Sequence, residues 1–396
     1  MVKLSYYTAI MACVLSQIAI VLDTGDSGLL KSLWLIPCGL LLFARGAAYF
    51  ERPLIPSYVF AAVFFLYCML CETVTPNQYV GADVNNIAIS VFILAISYCF
   101  GRHVDIDGKT LRIIALVTFA ASFIYGVFVY TTFLVGADMF SKMYAYDDKN
   151  SAAQIMSSAC IMLFTLYKPD NRLLKLGTYA LLAGLLLIIF LLKSRATLLG
   201  VFFVIAYFTF MYEDKRVRYV FLVCCSSIVI YILTNPDMYR TVVEGILFAN
   251  RDATDMDSLS SGRVERLYWC IDQFFANPVI GIGNEYVDCF PVIILTQYGV
   301  IGASIVFVYL FGLVRDCREL DRSDNLALCA YLLLVTYLLD SLFEAQPPFG
   351  PGVKCFPLWM VWGLMLADKY NNADGAGDDD ESEDESDVDL LEEKPI

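Results

Sequence analysis

Apolar residues in this chain come in unbroken blocks, neither on alternate positions nor as one stripe per helical turn. A block of that kind, rising about 1.5 Å per residue, marks a helix that crosses a hydrocarbon core. Twelve such runs are read, each to within a few residues: 6–22, 29–43, 55–71, 87–100, 113–135, 155–167, 173–192, 196–211, 219–233, 291–314, 327–343 and 356–367. The fourth, sixth and twelfth are short, so they are tilted, longer than drawn, or partly re-entrant. The first run has no small-residue cleavage site and is expected to stay as an anchor. The pattern predicts an all-α polytopic membrane protein with about twelve transmembrane helices, forming one membrane domain over residues 1–367.

A long polar insertion, residues 234–290, interrupts the blocks. Asn235-Pro236-Asp237 ends the ninth run in a turn, since proline cannot continue a helix. Asp252, Asp255 and Asp257 follow in a polar stretch. Ser260 and Ser261 then offer N-cap oxygens to a helix from about Gly262 to Ala276. Val264, Leu267, Ile271, Phe274 and Phe275 recur at helical spacing, an apolar face suited to lie on the membrane or on the bundle. Asn277-Pro278 stops this amphipathic helix, and Gly281 and Gly283 allow a tight turn before re-entry near Pro291.

Composition sharpens the class: 59% hydrophobic and only 17% charged, with a mean hydropathy of +0.64, is far from a soluble domain. The basic residues set an orientation. With the N-terminus inside, the loops on that side hold Arg45 and Arg52; Arg102, Lys109 and Arg112; Lys168, Arg172 and Lys175; Lys215, Arg216 and Arg218; and Arg315, Arg318 and Arg322. The opposite loops hold far fewer, so the positive-inside rule predicts both termini cytoplasmic and 234–290 an external loop. Most of the net charge of −14 belongs to residues 368–396, an acidic tail expected to be disordered and cytoplasmic. It is either a solvating terminus or a contact for a basic partner.

Thirteen cysteines lie mostly inside the apolar runs, where they act as small hydrophobes. Cys68 and Cys71 have no second pair and no nearby histidine, so no metal site is expected. Cys270 and Cys289 share the external side and are open to pairing, and the sole histidine, His103, reads as a cation on a cytoplasmic loop. Neither an internal repeat nor a Gly-rich phosphate loop is present, which argues against repeat-built transporters and ATP-driven machines.

The candidate chemistry gathers on the external side. Arg263 and Arg266 lie three apart in the first turn of the insertion helix, where free N–H groups and two guanidinium forks suit a phosphate or diphosphate; otherwise they pair with Glu265, Asp272 or lipid headgroups. Lys193 and Arg195 sit at a junction between two runs with almost no loop. Lys193 can snorkel there, whereas an arginine followed by Ala-Thr-Leu-Leu points to the bundle interior or a wet cavity. Asn284, Glu285 and Asp288 follow the Gly-Ile-Gly turn, and a carboxylate there can orient or deprotonate a sugar hydroxyl or simply face water. Asn150, in Lys149-Asn150-Ser151-Ala152, either reaches a glycan or caps a helix. Asp255-Met256-Asp257 has the Asp-x-Asp form of a metal-dependent glycosyltransferase site, but it lies in a loop without a sheet.

In order along the chain, Ser194-Arg195-Ala196, Ser261-Gly262-Arg263, Asn277-Pro278-Val279-Ile280-Gly281-Ile282-Gly283 and Gly299-Val300-Ile301-Gly302 resemble the motifs of the bacterial O-antigen polymerase and O-antigen ligase superfamily. Asn150-Ser151-Ala152 is similar to an earlier asparagine motif of that family, and the long ninth loop matches its layout. The resemblance implies a metal-independent glycosyltransferase without cofactor in the bacterial inner membrane. It would use undecaprenyl-diphosphate-linked glycans as donor and acceptor at an active site facing the periplasm. Arg195 and Arg263 would bind the diphosphate and stabilise its developing charge, with Asp288 as base or acceptor-orienting group and Arg266, Lys193, Asn284 and Asn150 as substrate contacts. Ligases of the family typically carry a histidine followed by asparagine where this chain has Asp288-Cys289. The resemblance therefore points to a polymerase of O-antigen, capsule or exopolysaccharide, with membrane lipid and a chain-length regulator as further partners and no nucleic acid. The alternatives are an O-antigen ligase and a flippase or transporter of lipid-linked oligosaccharide.

Overall fold

The computed structural model describes residues 2–21, 34–44, 47–74, 81–137, 148–169, 171–212, 214–247 and 263–383, with 76, 78, 79 and 146. Every regular element among them is helical. In chain order these are α1 (Val2–Val21), α2 (Leu35–Ala44), α3 (Ile55–Val74), α4 (Ala82–His103), α5 (Gly108–Val129), α6 (Lys149–Leu166), α7 (Arg172–Leu191), α8 (Arg195–Tyr212), α9 (Lys215–Thr234), α10 (Arg263–Ala276), α11 (Phe290–Arg318), α12 (Asn325–Ser341) and α13 (Phe356–Glu383). A π-helical turn, Tyr130–Leu134, continues α5, and another, Tyr239–Leu247, follows α9. Of the acidic tail, α13 includes residues as far as Glu383, and 384–396 lie outside the described residues.

Twelve spans were expected from the apolar blocks. Among the described residues, length and composition support five: Arg52–Val74, Asp83–His103, Gly108–Leu134, Arg172–Leu191 and Phe290–Arg318. Arg218–Thr234 with Pro236–Glu244 makes a sixth if that pair, bent by 96°, is one span. The bend falls at Asn235, whose side chain accepts from the N–H groups of Asp237 and Met238 and so starts a new turn as Pro236 ends the old one. Val2–Ile18, Arg195–Met211 and Asn325–Ser341 are apolar but shorter. Helix α6 is diluted by Lys149, Asn150, Gln154, Ser157 and Ser158, and it is among the most buried helices, so its polar side chains face protein.

The tightest pairing joins α4 and α13. A side chain at Gly363 would collide with the Leu94 carbonyl, so its bare Cα lets the two backbones approach. Tyr6 of α1 stacks on Phe100 of α4, with ring centroids 3.9 Å apart, and donates to Ser97 Oγ. Lys3 of α1 reaches Thr110 of α5 at 3.1 Å, while Arg102 pairs with Glu51 at 2.9 Å and bonds Asn371 of α13. The starts of α1 and α5 and the ends of α4 and the apolar part of α13 therefore share one end of the bundle. Lys168 and Arg322, which bond Asn325 and Tyr207, join the same basic belt. His103 closes α4 at this end.

Helix α11, read from its apolar run as one uninterrupted helix, is broken at Gly299 (φ 60°, ψ −169°). The break strands carbonyls before it and N–H groups after it, which in hydrocarbon must be paired internally. The turn behind α10 pairs them. Ile282 N donates to Thr296 O and Gly283 N to Gln297 O, while Val300 N and Ile301 N donate to Pro278 O and Val279 O. A Cβ at Gly281 would overlap the Gln297 carbonyl, and one at Gly299 would overlap that of Val279. The Gly-Ile-Gly and Gly-x-x-Gly motifs thus form one backbone interlock rather than a re-entry turn and a separate helix motif.

Helix α10 lies over this interlock. Its contact face is the predicted one shifted toward Cys270: Val264, Leu267, Ile271 and Phe274 are half-buried, Cys270 is fully buried with its carbonyl accepting Thr296 Oγ1 at 3.1 Å, and Phe275 points outward and is 72% exposed. Residues 251–262, including Asp252, Asp255, Asp257, Ser260, Ser261 and Gly262, lie outside the described residues.

Candidate active site

At the end of the bundle opposite the basic belt, a cavity of about 560 Å³ opens between α6, α8, α10, the turn before α11 and the turn after α12. Three cations stand on its wall: Lys149 and Arg195, which begin α6 and α8, and Arg263, the first described residue of α10. The starts of α6 and α8 add the positive ends of two helix dipoles. Among the described residues, these cations face two carboxylates, Asp288 and Glu344, a set able to bind an anion. The remaining wall is apolar: Ala196, Leu199, Leu267, Val287, Leu342 and Phe343.

The junction that delivers Arg195 is tight. Lys193 takes a left-handed conformation (φ 57°) between α7 and α8, and its N–H donates to Phe190 O. That conformation costs a non-glycine residue on the order of 1 kcal/mol. The Lys193 carbonyl accepts Lys149 Nζ at 3.1 Å, tying the start of α6 to that of α8. Ser194 Oγ and Thr197 Oγ1, 3.0 Å apart, cover the first turn of α8.

Arg263 is held from three sides. Its Nε lies 2.6 Å from Asp288 Oδ2, its Nη1 donates to Phe343 O at 3.4 Å, and its Nη2 is 3.9 Å from Glu344 Oε1. Asp288 accepts a second bond, 2.6 Å, from the Tyr286 hydroxyl, so both its oxygens are engaged. Glu344 accepts Asn150 Nδ2 at 2.5 Å, and its carbonyl accepts Phe290 N at 3.0 Å, which pins the turn after α12 to the start of α11. Burial, and then the Asp288 charge beside it, push the Glu344 carboxyl up to about 8 against the pull of Arg263. Burial and Asp288 likewise raise the Tyr286 phenol.

Of the residues expected from the sequence, Arg195, Arg263, Asp288 and Asn150 line the cavity together; Lys193, Arg266 and Asn284 do not. Three residues advance a helix by about 300°, leaving Arg266 only about 60° round the axis from Arg263, so its partners and not the helix turn take it off the cavity wall. Its guanidinium pairs with Glu285, donates to Tyr286 O at 3.1 Å and lies over the Trp269 ring at 4.2 Å. Arg266 therefore fastens the 284–289 turn to α10. Lys193 acts through its backbone, and Asn284 is exposed outside the cavity. Cys270 and Cys289 are free thiols rather than a pair. Among the described residues, no group of His, Cys, Asp or Glu is arranged to hold a metal ion.

Sequence reasoning missed Lys149 and Glu344. Lys149 stood beside the selected Asn150, and only the convergence of α6 with α8 gives it significance. Glu344 had one signal: it is the lone acid in the Pro- and Gly-rich segment Glu344-Ala345-Gln346-Pro347-Pro348-Phe349-Gly350-Pro351.

Residues 178–311 match the family model described as O-antigen ligase, consistent with the O-antigen ligase and polymerase superfamily, whose members are membrane glycosyltransferase-like enzymes. The matched stretch contains Arg195, Arg263, Asp288 and the whole interlock; Lys149, Asn150 and Glu344 lie outside it. No curated protein matches the chain.

Proposed function

We propose that this O-antigen ligase family protein is a polysaccharide polymerase, moving a growing glycan from undecaprenyl diphosphate onto the non-reducing end of a lipid-linked repeat unit. The observation that carries the reading is the convergence of three cations, Lys149, Arg195 and Arg263, two of them at helix starts, on one cavity with an apolar flank. Lys149, Arg195 and Arg263 are placed to hold a diphosphate, and Leu199, Leu267 and Leu342 to receive the first isoprene units of its lipid.

In the transfer, the acceptor hydroxyl attacks the anomeric carbon, the bond from that carbon to the phosphate oxygen breaks, and its electron pair leaves on the diphosphate. Arg195 and Arg263, already positioned, stabilise the charge that develops there without reorganising. In this scheme those cations supply the charge, so it requires no metal. We assign the cavity to the outer face of the inner membrane because it lies opposite the basic belt.

Ligation to another lipid-borne acceptor uses the same donor chemistry. Asp288-Cys289, where the ligases of the family typically carry His-Asn, favours the polymerase. The test is purified protein with a lipid-linked repeat unit. The expected product is a ladder of longer lipid-linked glycans, lost in Arg195→Ala and Arg263→Ala. Substrate that crosses the bilayer without being extended would replace this reading with a flippase.

A further inference from the structure

Two carboxylates reach the cavity, and the geometry gives them different work. Asp288 spends one oxygen on the Arg263 guanidinium and the other on the Tyr286 hydroxyl. A carboxylate so engaged has no oxygen free to meet an incoming hydroxyl without breaking a charge-assisted bond. Glu344 accepts one bond from a neutral amide, Asn150 Nδ2, and stands 3.9 Å from the nearest Arg263 nitrogen. Its backbone is anchored to Phe290 N, so the side chain is presented from a fixed turn.

We propose that Glu344 is the general base of the transfer, accepting the proton of the attacking sugar hydroxyl, while Asp288 is a positioning residue that holds Arg263. This rests on the polymerase reading above. In the step, the hydroxyl oxygen forms its bond to the anomeric carbon as its proton passes to a Glu344 oxygen, and the carbon–phosphate oxygen electron pair departs on undecaprenyl diphosphate. Asn150, donating to Oε1, orients the carboxylate and leaves Oε2 for the acceptor.

The charged and titratable groups around Glu344 come from four elements: Arg263 from α10, Asp288 from the turn before α11, Asp340 from α12 and Lys149 from α6. Burial and the two acids raise its affinity for a proton, and the two cations oppose them. The resulting value of about 8 puts the carboxyl where a base exchanges protons near neutral pH. The sign follows: the base must be ionised, so the wild-type rate rises with pH and levels off above about 8.

The experiment measures glycan extension by the purified full chain from pH 6 to 9.5, at about half-unit steps, for wild type, Glu344→Gln, Glu344→Asp and Asp288→Asn. Binding of undecaprenyl diphosphate is measured on each. Glu344→Gln is expected to bind the lipid as wild type does, to lose about 10²–10⁴-fold in rate and to lose the rising pH limb. Glu344→Asp should recover part of the rate with the limb displaced, and Asp288→Asn should keep the limb while binding more weakly. A wild type that extends glycans, with a Glu344→Gln variant equally fast or still showing the limb, overturns the base and leaves the polymerase standing. Loss of lipid binding together with activity in Glu344→Gln makes the residue structural and also overturns the base. A wild type that extends nothing overturns the polymerase reading and the base with it.

Discussion

Two neighbouring regions of the molecule work by opposite means. The interlock of 278–283 with the broken α11 is built from backbone: four N–H···O bonds and glycines with no room for a side chain. The cavity beside it, part of which lies outside the family-matched stretch, is built from side chains: three cations and, among the described residues, two carboxylates and one amide. Short motifs of one family thus divide by physics. Gly281, Gly283, Gly299 and Gly302 secure a shape, and Arg195 and Arg263 carry charge in the place that shape provides. Substitutions should separate the two, costing the fold in one region and the reaction in the other.

The largest effect is expected at Gly299→Ala. The new methyl would meet the Val279 carbonyl at a backbone angle that L-residues rarely adopt. The interlock must then open, and each buried group left unpaired costs about 1–3 kcal/mol. The variant should fail to give monodisperse protein in detergent, and a thermally stable Gly299→Ala would show that the break in α11 is dispensable.

Next come the charges. Arg195→Ala and Arg263→Ala should each lower the transfer rate by about 10²–10³-fold, the usual loss when one preorganised stabiliser of developing charge is removed. Their melting temperatures should stay close to wild type, which is the contrast with the glycine. An unfolded Arg263→Ala would erase the division between the regions. Asp288→Asn should act through Arg263, lowering rate or donor affinity on the order of 10-fold, because a neutral amide holds the guanidinium less firmly. An effect as large as that of Arg263→Ala would instead place Asp288 in the chemistry.

Arg266→Ala should have the smallest effect. Its pair with Glu285 is substantially exposed, worth about 0.2–1 kcal/mol, and its loss removes one tie of the 284–289 turn while the Arg263–Asp288 pair still holds that turn at the cavity. Thermal unfolding should shift slightly and extension should persist. A complete loss of activity would return Arg266 to the site from which its ties to Glu285 and Tyr286 hold it away.

The sequence stated the membrane class, the apolar helices and the two arginines, each for a local reason. A long apolar block is helical wherever it lies in hydrocarbon, because no other backbone satisfies its own hydrogen bonds there. An arginine at such a boundary is costly without a use or a partner, so Arg195 stood out from its neighbours alone, whereas Arg263 was a candidate only as one of a pair with Arg266 in the first turn of the insertion helix. The amphipathic spacing of the insertion helix was likewise legible, although its most buried residue is Cys270, which the apolar pattern of Val264, Leu267, Ile271, Phe274 and Phe275 did not include. The break in α11 was not legible, because the residues around Gly299 are as apolar as an intact helix requires, and the carbonyls that make the break tolerable come from some twenty residues upstream.

Only the tertiary structure decided which charges share a cavity. Lys149, Arg195, Arg263 and Glu344 are spread over most of the chain, and their meeting depends on how α6, α8, α10 and the turn after α12 pack. Arg263 and Arg266 are equal candidates in the sequence and differ in use because their partners differ: Asp288 and Glu344 hold one at the cavity, and Glu285 and the Tyr286 carbonyl hold the other outside it. Composition alone sets whether a group is costly to bury. What it faces when buried is set by packing, and the different work of Asp288 and Glu344 follows from that.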